Sequence, residues 1–133
     1  GILRGLHGFS SRANWSIHPT VQRRMFLRLM REAVALVGNS SSGMVESAAV
    51  GAVAVNVGDR QAGREHSPNV IHVPARSEAV GGTLRDLRDD ARKAGALRAA
   101  PCVFGDGRSA GRIAAVLATM DLSPRRRTKR NEY

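Results

Sequence analysis

The stretch VGNSSSGMVES, residues 37–47, decides the fold, because it places three serines between a short apolar run and a helix-like run. Serine is unfavourable inside a helix or a strand, since its hydroxyl competes for backbone hydrogen bonds. It suits the first turn of a helix, where unpaired N–H groups need partners, and it suits a turn that holds an anion. The residues alone leave both interpretations open: plain N-capping, or a cradle for a phosphate.

The patterns on either side of these serines predict an α/β fold. Short apolar runs typical of buried parallel strands occupy residues 34–38, 52–58 and 69–73. Apolar residues at three- and four-residue spacing, together with helix entry signals, predict four helical segments. They cover residues 21–33, the run from the serines to Gly51, residues 77–99 and residues 109–120. The third segment should be interrupted at Gly81, Gly82 and Gly95. This order predicts a Rossmann-like open parallel sheet, in which ligands bind where strands turn into helices.

The charge of the chain lies at its two ends. The formal net charge is +10, yet residues 32–123 carry ten basic and ten acidic side chains. Aromatic residues make up only 4% of the chain, so platforms for stacking nucleic-acid bases are scarce. With 133 residues the chain is long enough for one domain. We expect an uncertain N-terminal stretch over 1–20, the binding domain over 21–122, and a disordered basic tail over 123–133.

Several classes of protein are disfavoured by what the sequence lacks. No apolar run approaches the roughly 20 residues of a membrane span, and no signal peptide is visible. The single Cys102 fits a reducing compartment, so we expect a cytoplasmic protein. There is no GxGxxG fingerprint, no P-loop and no zinc-type spacing, and we therefore expect neither a cofactor nor a metal. The four histidines are scattered, and His72 is interpreted as a strand residue rather than a base.

The serine turn supplies most of the candidate binding residues. Hydroxyls of Ser40, Ser41 and Ser42 can donate to a phosphate, and Gly43 can let the backbone come close. Glu46 lies four residues after Ser42, on the same face of a helix. Its carboxylate can accept hydrogen bonds from both hydroxyls of a ribose, although a lone glutamate on a helix is more often a solvated surface residue.

Two glycine-containing loops follow. In VGDRQAGRE, residues 57–65, charged side chains crowd beyond a strand end, and Arg60 has the planar fork that suits a pyrophosphate. Such clusters are also commonly solvated, so the residues alone leave this open. The GDG at 105–107 precedes the last predicted helix and is weaker evidence, because it is also ordinary turn chemistry.

Four motifs together resemble one family. GNSSSGMVE (38–46), VNVGDRQAGRE (55–65), NVIHV (69–73) and FGDGRSAGRI (104–113), in this order and spacing, resemble the hydrolysing UDP-N-acetylglucosamine 2-epimerases, including the epimerase part of the bifunctional epimerase/kinase of sialic acid synthesis. The resemblance covers residues 26–122 and fades over residues 1–20. It implies the second Rossmann-like domain of a two-domain, GT-B-type fold.

The resemblance also implies an activity and a distribution of roles. The family eliminates UDP from UDP-N-acetylglucosamine and adds water to give N-acetylmannosamine. Carried over, Ser40 and Ser41 meet the diphosphate, Ser42 and Gly43 shape the same turn, Glu46 holds the ribose, and Arg60 lies near the phosphates. The family's acid/base carboxylates lie in the first domain and its active-site histidine near the start of the second. Neither region has a counterpart here, so no catalytic residue is assigned, and His7 and His18 are not proposed for that function.

These expectations define the chain as the UDP-binding half of an epimerase, inactive alone. Its expected partners are UDP or UDP-N-acetylglucosamine, a missing N-terminal domain or second chain, and a further copy of itself, with no membrane and no nucleic acid. Three alternatives remain: the nucleotide-sugar-binding half of a GT-B glycosyltransferase, a basic nucleic-acid binder that depends on the two charged ends, and a truncated relic without function.

Overall fold

The computed structural model describes residues 5–6 and 13–121, and within them a small parallel sheet forms the centre. Its strands are β1 (Leu36–Gly38), β2 (Ala54–Val57) and β3 (Val70–Val73), in the spatial order β1-β2-β3. Both pairings are parallel, and the register aligns Gly38 with Asn56 and Asn56 with His72. The predicted α/β, Rossmann-like open parallel sheet is therefore confirmed.

Helices pack on both faces of this sheet. They are α1 (Arg23–Glu32), α2 (Ser41–Val45), α3 (Ser77–Asp89), α4 (Ala91–Arg98) and α5 (Ser109–Thr119), with a 3₁₀ helix over Ala48–Val50. On one face Met44 of α2 packs with Ala54 and Val70. On the other, Leu87 of α3 packs with Val53, Val55 and Val73. Side chains alternate between the faces of a strand, so the run from Val53 to Val55 contributes to both layers.

The predicted burial of the first strand is wrong at its carboxyl end. Val37 is 42% exposed and Gly38 is also exposed, whereas Ala54, Val55 and Asn56 of β2 are buried. The physical reason is position, because β1 lies at the edge of the described sheet and β2 lies at its centre. An apolar run of this length does not distinguish an edge strand from a central one.

Helix α1 forms where its periodicity predicts it, but only part of its apolar face is covered. Met30 is buried and Phe26 is half-buried, while Met25 and Leu29 are about half exposed. Helix α5 is more extreme, since none of its residues is buried. Among the described residues, no helix is long and apolar enough to cross a membrane.

The glycines of the predicted helical segment 77–99 do not interrupt it, so that prediction is wrong. Gly81 and Gly82 lie inside α3, and Gly95 lies inside α4. The break falls at Asp90, whose carboxylate accepts a 2.8 Å hydrogen bond from the backbone N–H of Lys93 and caps α4. A glycine costs a helix only about 1 kcal/mol, so a local cap and the packing of Leu87 decide the boundaries.

Candidate functional site

The serine turn begins at the carboxyl end of β1 and is built as an N-cap. Ser40 has an extended backbone, and its hydroxyl accepts a 3.3 Å hydrogen bond from the N–H of Ser42. The Ser40 hydroxyl also lies 3.4 Å from that of Ser42. The Ser41 hydroxyl has no partner within the described residues. Ser40 therefore caps the helix, as the N-capping interpretation predicts, and the Ser41 hydroxyl is available for a ligand.

Helix α2 contributes less to anion binding than the sequence suggested. It has only five residues and ends at Val45. After a short break comes the 3₁₀ helix Ala48–Val50, which ends at Gly51, a residue with a left-handed backbone conformation. A short helix carries a correspondingly small dipole. Any affinity for an anion at this turn must come mainly from hydroxyls and from neighbouring cations.

The loop after β2 supplies those cations and is fastened to the serine turn. Gln61 is buried, and its amide donates a 2.7 Å hydrogen bond to the backbone carbonyl of Asn39. Arg60 donates to the Asn39 side-chain oxygen at 3.4 Å. Two segments about twenty residues apart in sequence are thereby joined. Sequence reasoning missed Asn39 and Gln61 as positioning residues; the adjacency of their two loops in a parallel sheet was the available signal.

Ser41, Arg60 and Arg64 line one open, polar depression of about 470 Å³. Neither guanidinium forms an ion pair within the described residues. Two unpaired guanidinium groups beside a free hydroxyl have the chemistry of a diphosphate site, since Arg–phosphate hydrogen bonds are charge-assisted. The structure thus brings together two of the sequence-predicted residues, Ser41 and Arg60, with Arg64 as an addition.

Glu46 is placed differently from the prediction. It follows α2 as its C-cap, and its carboxylate oxygens lie 3.2 and 3.3 Å from Arg23 of α1. The side chains are 28% and 70% exposed, respectively. The carboxylate therefore already has a partner, so its charge does not by itself call for a ligand. An exposed pair of this kind contributes only about 0–1 kcal/mol, so a ribose could replace Arg23; ribose binding by Glu46 stays a prediction.

Gly43 supports the packing of the turn. It is buried, and a Cβ added there would lie 3.4 Å from the Cβ of Ala54 and 3.6 Å from Cδ2 of Leu36. Its missing side chain thus lets α2 lie close to the sheet, whereas the sequence had suggested a close approach to the ligand. A glycine with this packing function also occurs in dinucleotide-binding turns.

A buried hydrogen-bond network holds the turn from below. The Ser47 hydroxyl donates to the carbonyl of Gly43 at 2.6 Å and accepts from the Asn69 amide at 2.7 Å. Asn69 also donates to the carbonyl of Ala52 at 2.7 Å. Ser47 and Asn69 are almost completely buried. Sequence reasoning gave neither residue a function, because no local pattern shows that a serine in a predicted helix and an asparagine at the start of a predicted strand share a buried hydrogen bond.

The GDG turn serves the last helix. Asp106 accepts 2.8 Å hydrogen bonds from both terminal nitrogens of Arg112 and a 3.0 Å bond from the N–H of Arg108. These bonds, that to Arg112 foremost, hold the pKa of the Asp106 carboxyl below its usual value. The geometry favours the ordinary-turn interpretation, with Asp106 fastening the entry of α5.

Two histidines that the sequence shows as scattered meet in the structure. His72 on β3 lies with its Nε2 3.2 Å from Nε2 of His66, and the ring planes form an angle of 69°. Asn56 on β2 contacts His72, and His66 contacts the carbonyl of Arg64. His72 is a strand residue, as predicted. Ser67, Pro68 and Asn69 do signal a turn between the two histidines, but a turn signal alone does not show which side chains meet across it.

Other depressions offer weaker candidates. One of about 860 Å³ lies between α1 and α4, where Arg28 pairs with Glu32 and Arg98 donates to backbone carbonyls of residues 31, 33, 34 and 51. Arg98 therefore joins separate segments of the fold. Across the described part of the chain, no group of three or more His, Cys, Asp or Glu side chains could hold a metal ion.

Comparison with known proteins identifies a family. The model of the family described as UDP-N-acetylglucosamine 2-epimerase matches residues 3–118. The chain belongs to this family. The match begins well before residue 20, so the epimerase family pattern extends over most of the stretch in which the sequence motifs alone show no resemblance.

Three relatives of this epimerase-family chain illustrate the likeness. It is 34% identical over 122 residues, 87% of its length, to the UDP-N,N'-diacetylbacillosamine 2-epimerase (hydrolyzing) of Legionella pneumophila. It is 48% identical over 46 residues, 35% of its length, to the GDP/UDP-N,N'-diacetylbacillosamine 2-epimerase (hydrolyzing) of Campylobacter jejuni. Polysialic acid biosynthesis protein P7 of Escherichia coli is 34% identical over 71 residues, 53% of the chain. These alignments cover 31%, 12% and 18% of the relatives, so the chain spans less than a third of their length.

Proposed function

We propose that this chain is the UDP-binding part of a hydrolysing 2-epimerase that converts UDP-N-acetylglucosamine to N-acetylmannosamine and UDP. The observation that carries the proposal is the convergence of the Ser41 hydroxyl with Arg60 and Arg64 in one polar depression at the carboxyl edge of the sheet. Of the relatives described above, one is named as a hydrolyzing 2-epimerase of UDP-N,N'-diacetylbacillosamine and one as that of the GDP/UDP-linked sugar. A nucleoside diphosphate is common to these names, and UDP appears in both.

The chemistry of this site is electrostatic. When the bond between the sugar and the diphosphate breaks, negative charge develops on the leaving UDP. Arg60 and Arg64 stabilise that charge, and a fixed cation acts more strongly on the leaving group than on the intact substrate. Ser40 and Ser42 shape the turn, and Glu46 exchanges Arg23 for the ribose hydroxyls. The acid/base groups that remove and return protons on the sugar belong to a partner segment, so the chain alone binds UDP without turnover.

The test is calorimetric titration of UDP into the chain and into Arg60→Ala. Loss of one charge-assisted contact of about 1.5–3 kcal/mol should weaken binding roughly ten- to a hundredfold. Arg92→Ala is the matched control, because Arg92 is exposed on α4 and has no partner within the described residues. It should bind UDP like the natural chain. Equal affinity of all three proteins would refute the proposed site.

The substrate is tested separately. A full-length protein containing this segment should release free N-acetylmannosamine and UDP from UDP-N-acetylglucosamine, and the UDP-linked diacetylbacillosamine serves as the competing substrate. Transfer of the sugar to an acceptor would instead indicate the glycosyltransferase alternative. A cytoplasmic location and assembly with a further copy remain predictions, and the basic tail over 123–133 lies outside the described residues.

A further inference from the structure

The histidine pair beside the proposed site has a determinate direction of hydrogen bonding. The Asn56 side-chain nitrogen donates to the carbonyl of Gly58 at 3.2 Å. Reversing the amide would set its oxygen against that carbonyl, so this orientation is favoured, although the buried Asn56 Oδ1 then has no hydrogen-bond partner among the described residues. The same nitrogen lies 3.1 Å from Nδ1 of His72. Because an amide nitrogen only donates, Nδ1 of His72 must accept and its proton must lie on Nε2.

The same donor-to-acceptor direction continues from His72 into the loop that contains His66 and Arg64. The Nε2–H of His72 points at Nε2 of His66, 3.2 Å away, which must therefore accept. The proton of His66 then lies on Nδ1 and donates to the carbonyl of Arg64 at 2.9 Å. We call this chain of donors, from Asn56 through His72 and His66 to Arg64, the histidine relay. Every ring nitrogen in it has a partner, provided that both imidazoles are neutral.

The relay connects the sheet to the loop that carries the cations. Asn56 is 3% exposed and His72 belongs to β3, so one end is rigid. The other end is the Arg64 carbonyl, and the Arg64 side chain lines the polar depression with Ser41 and Arg60. The loop is fastened at Gln61 to Asn39 as well. Farther along the chain, the buried Ser67 accepts a 3.0 Å hydrogen bond from the N–H of Val103. Between Gln61 and Ser67, the relay adds the side-chain contact that joins this segment to β3.

We propose that His66 and His72 are positioning residues that hold the Arg60–Arg64 loop at the diphosphate site only while both imidazoles are uncharged. An additional proton on His72 would set an N–H against the Asn56 amide, and one on His66 would set it against the Nε2–H of His72. Either event replaces a hydrogen bond by two facing donors. This inference rests on the proposed UDP site, and it adds that UDP affinity falls as histidine gains its proton.

The other charged groups near the relay keep their charge in the relevant range. Asp59 lines the same depression as His72, and Arg64 and Glu65 directly precede His66. Carboxyl and guanidinium groups ordinarily do not titrate between about pH 5.5 and about pH 7.5, whereas histidine does. The charged neighbours named here therefore do not account for a change of UDP affinity over this range.

The experiment measures UDP affinity at about pH 7.5 and about pH 5.5. The proteins are the natural chain, His66→Ala, the double variant His66→Gln with His72→Gln, and the control His18→Gln, with a chelator added to exclude bridging metal ions. UDP gains its own proton in every arm, so the variants are compared with one another. The natural chain and His18→Gln should lose roughly three- to tenfold more affinity at the lower pH than the double variant, in which amides replace the rings. His66→Ala should already be weaker by that factor at the higher pH.

A second measurement does not depend on UDP. Nitrogen NMR of the imidazoles should show the Nε2–H tautomer for His72 and the Nδ1–H tautomer for His66 at about pH 7.5. Other tautomers, or UDP binding with the same pH profile in all four proteins, would overturn the relay and leave the UDP site standing. If the expected tautomers are found but the folded natural chain binds no UDP, the proposed function is overturned. The proposal that the histidines position a diphosphate site then fails with it.

Discussion

Replacing Asn69 by Asp isolates the buried hydrogen bonds beneath the serine turn. The Asn69 side chain is 1% exposed and donates to the Ser47 hydroxyl and the Ala52 carbonyl. Aspartate has almost the same shape, so the change creates no cavity. The side-chain nitrogen that donates both hydrogen bonds becomes a carboxylate oxygen, which faces the oxygens of Ser47 and Ala52. The change also buries a negative charge, and none of the contacts of Asn69 supplies a positive partner for it.

The magnitude follows from those contacts. Two lost hydrogen bonds cost about 1 kcal/mol each, and a buried group without a partner adds about 1–3 kcal/mol. We therefore expect Asn69→Asp to lower the free energy of unfolding by about 3–5 kcal/mol at neutral pH. That is a large part of the stability of a typical domain, about 5–15 kcal/mol. The serine turn should loosen at the same time, because Ser47 holds the carbonyl of Gly43.

The sign of the pH dependence is a second, independent expectation. Burial raises the pKa of the introduced carboxyl in the folded state above its value in the unfolded chain. Between these two values the folded state binds more protons, so the stability of Asn69→Asp rises as the pH falls through the folded value. The gap between the variant and the natural chain should accordingly be widest at neutral pH and narrow in acid.

Urea unfolding followed by circular dichroism at neutral and mildly acidic pH measures both expectations. Asn14→Asp is the matched control, because Asn14 is exposed and without a partner in the described residues; its effect should stay within about 0.5 kcal/mol. A loss below about 1 kcal/mol for Asn69→Asp, or a gap that widens in acid, would contradict the reasoning.

Three further outcomes are expected. Leu87→Ala should cost about 2–5 kcal/mol in urea unfolding because Leu87 is buried against β2 and β3, while exposed Ile113→Ala stays within about 0.5 kcal/mol; equal losses would be inconsistent with this core. Asp106→Asn should speed amide exchange in α5. The pKa of Asp106 is lowered, so α5 of the natural chain should loosen in the same way only as the pH falls through that lowered value. Unchanged amide exchange in both cases would argue that the contacts of Asp106 with Arg108 and Arg112 do not hold α5. Glu46→Gln should weaken UDP binding roughly three- to tenfold if the carboxylate holds the ribose, and equal binding would leave Glu46 a structural residue.

The sheet could be predicted because it depends on local patterns. Each of the three strands was expected within two residues of its observed start, since short apolar runs ending at Gly or Pro have few alternatives in an α/β chain. The edge position of β1 could not be predicted, because it is a property of strand order. The helix boundary at Asp90 was missed because the three glycines were expected to break the helical segment. The observed break lies instead at Asp90, whose carboxylate caps the next helix.

The candidate site was predictable in composition and less so in geometry. Ser41 and Arg60 were expected together and do line one depression, while Gly43 faces the sheet and Glu46 already pairs with Arg23. The difference arises because residue type restricts the available chemistry, whereas the direction of a side chain depends on neighbours distant in sequence. Arg23 lies 23 residues from its partner, and no local pattern reports such a contact.

The parallel register explains why these separate segments can act as one site. Gly38, Asn56 and His72 are aligned across the three strands. The serine turn follows the first, the arginine loop follows the second, and the histidine relay joins the second to the third. A shift of one residue in any strand would turn its aligned side chain to the opposite face. The buried residues of β2 fix that register, and the same packing that stabilises the sheet therefore holds the proposed diphosphate site together.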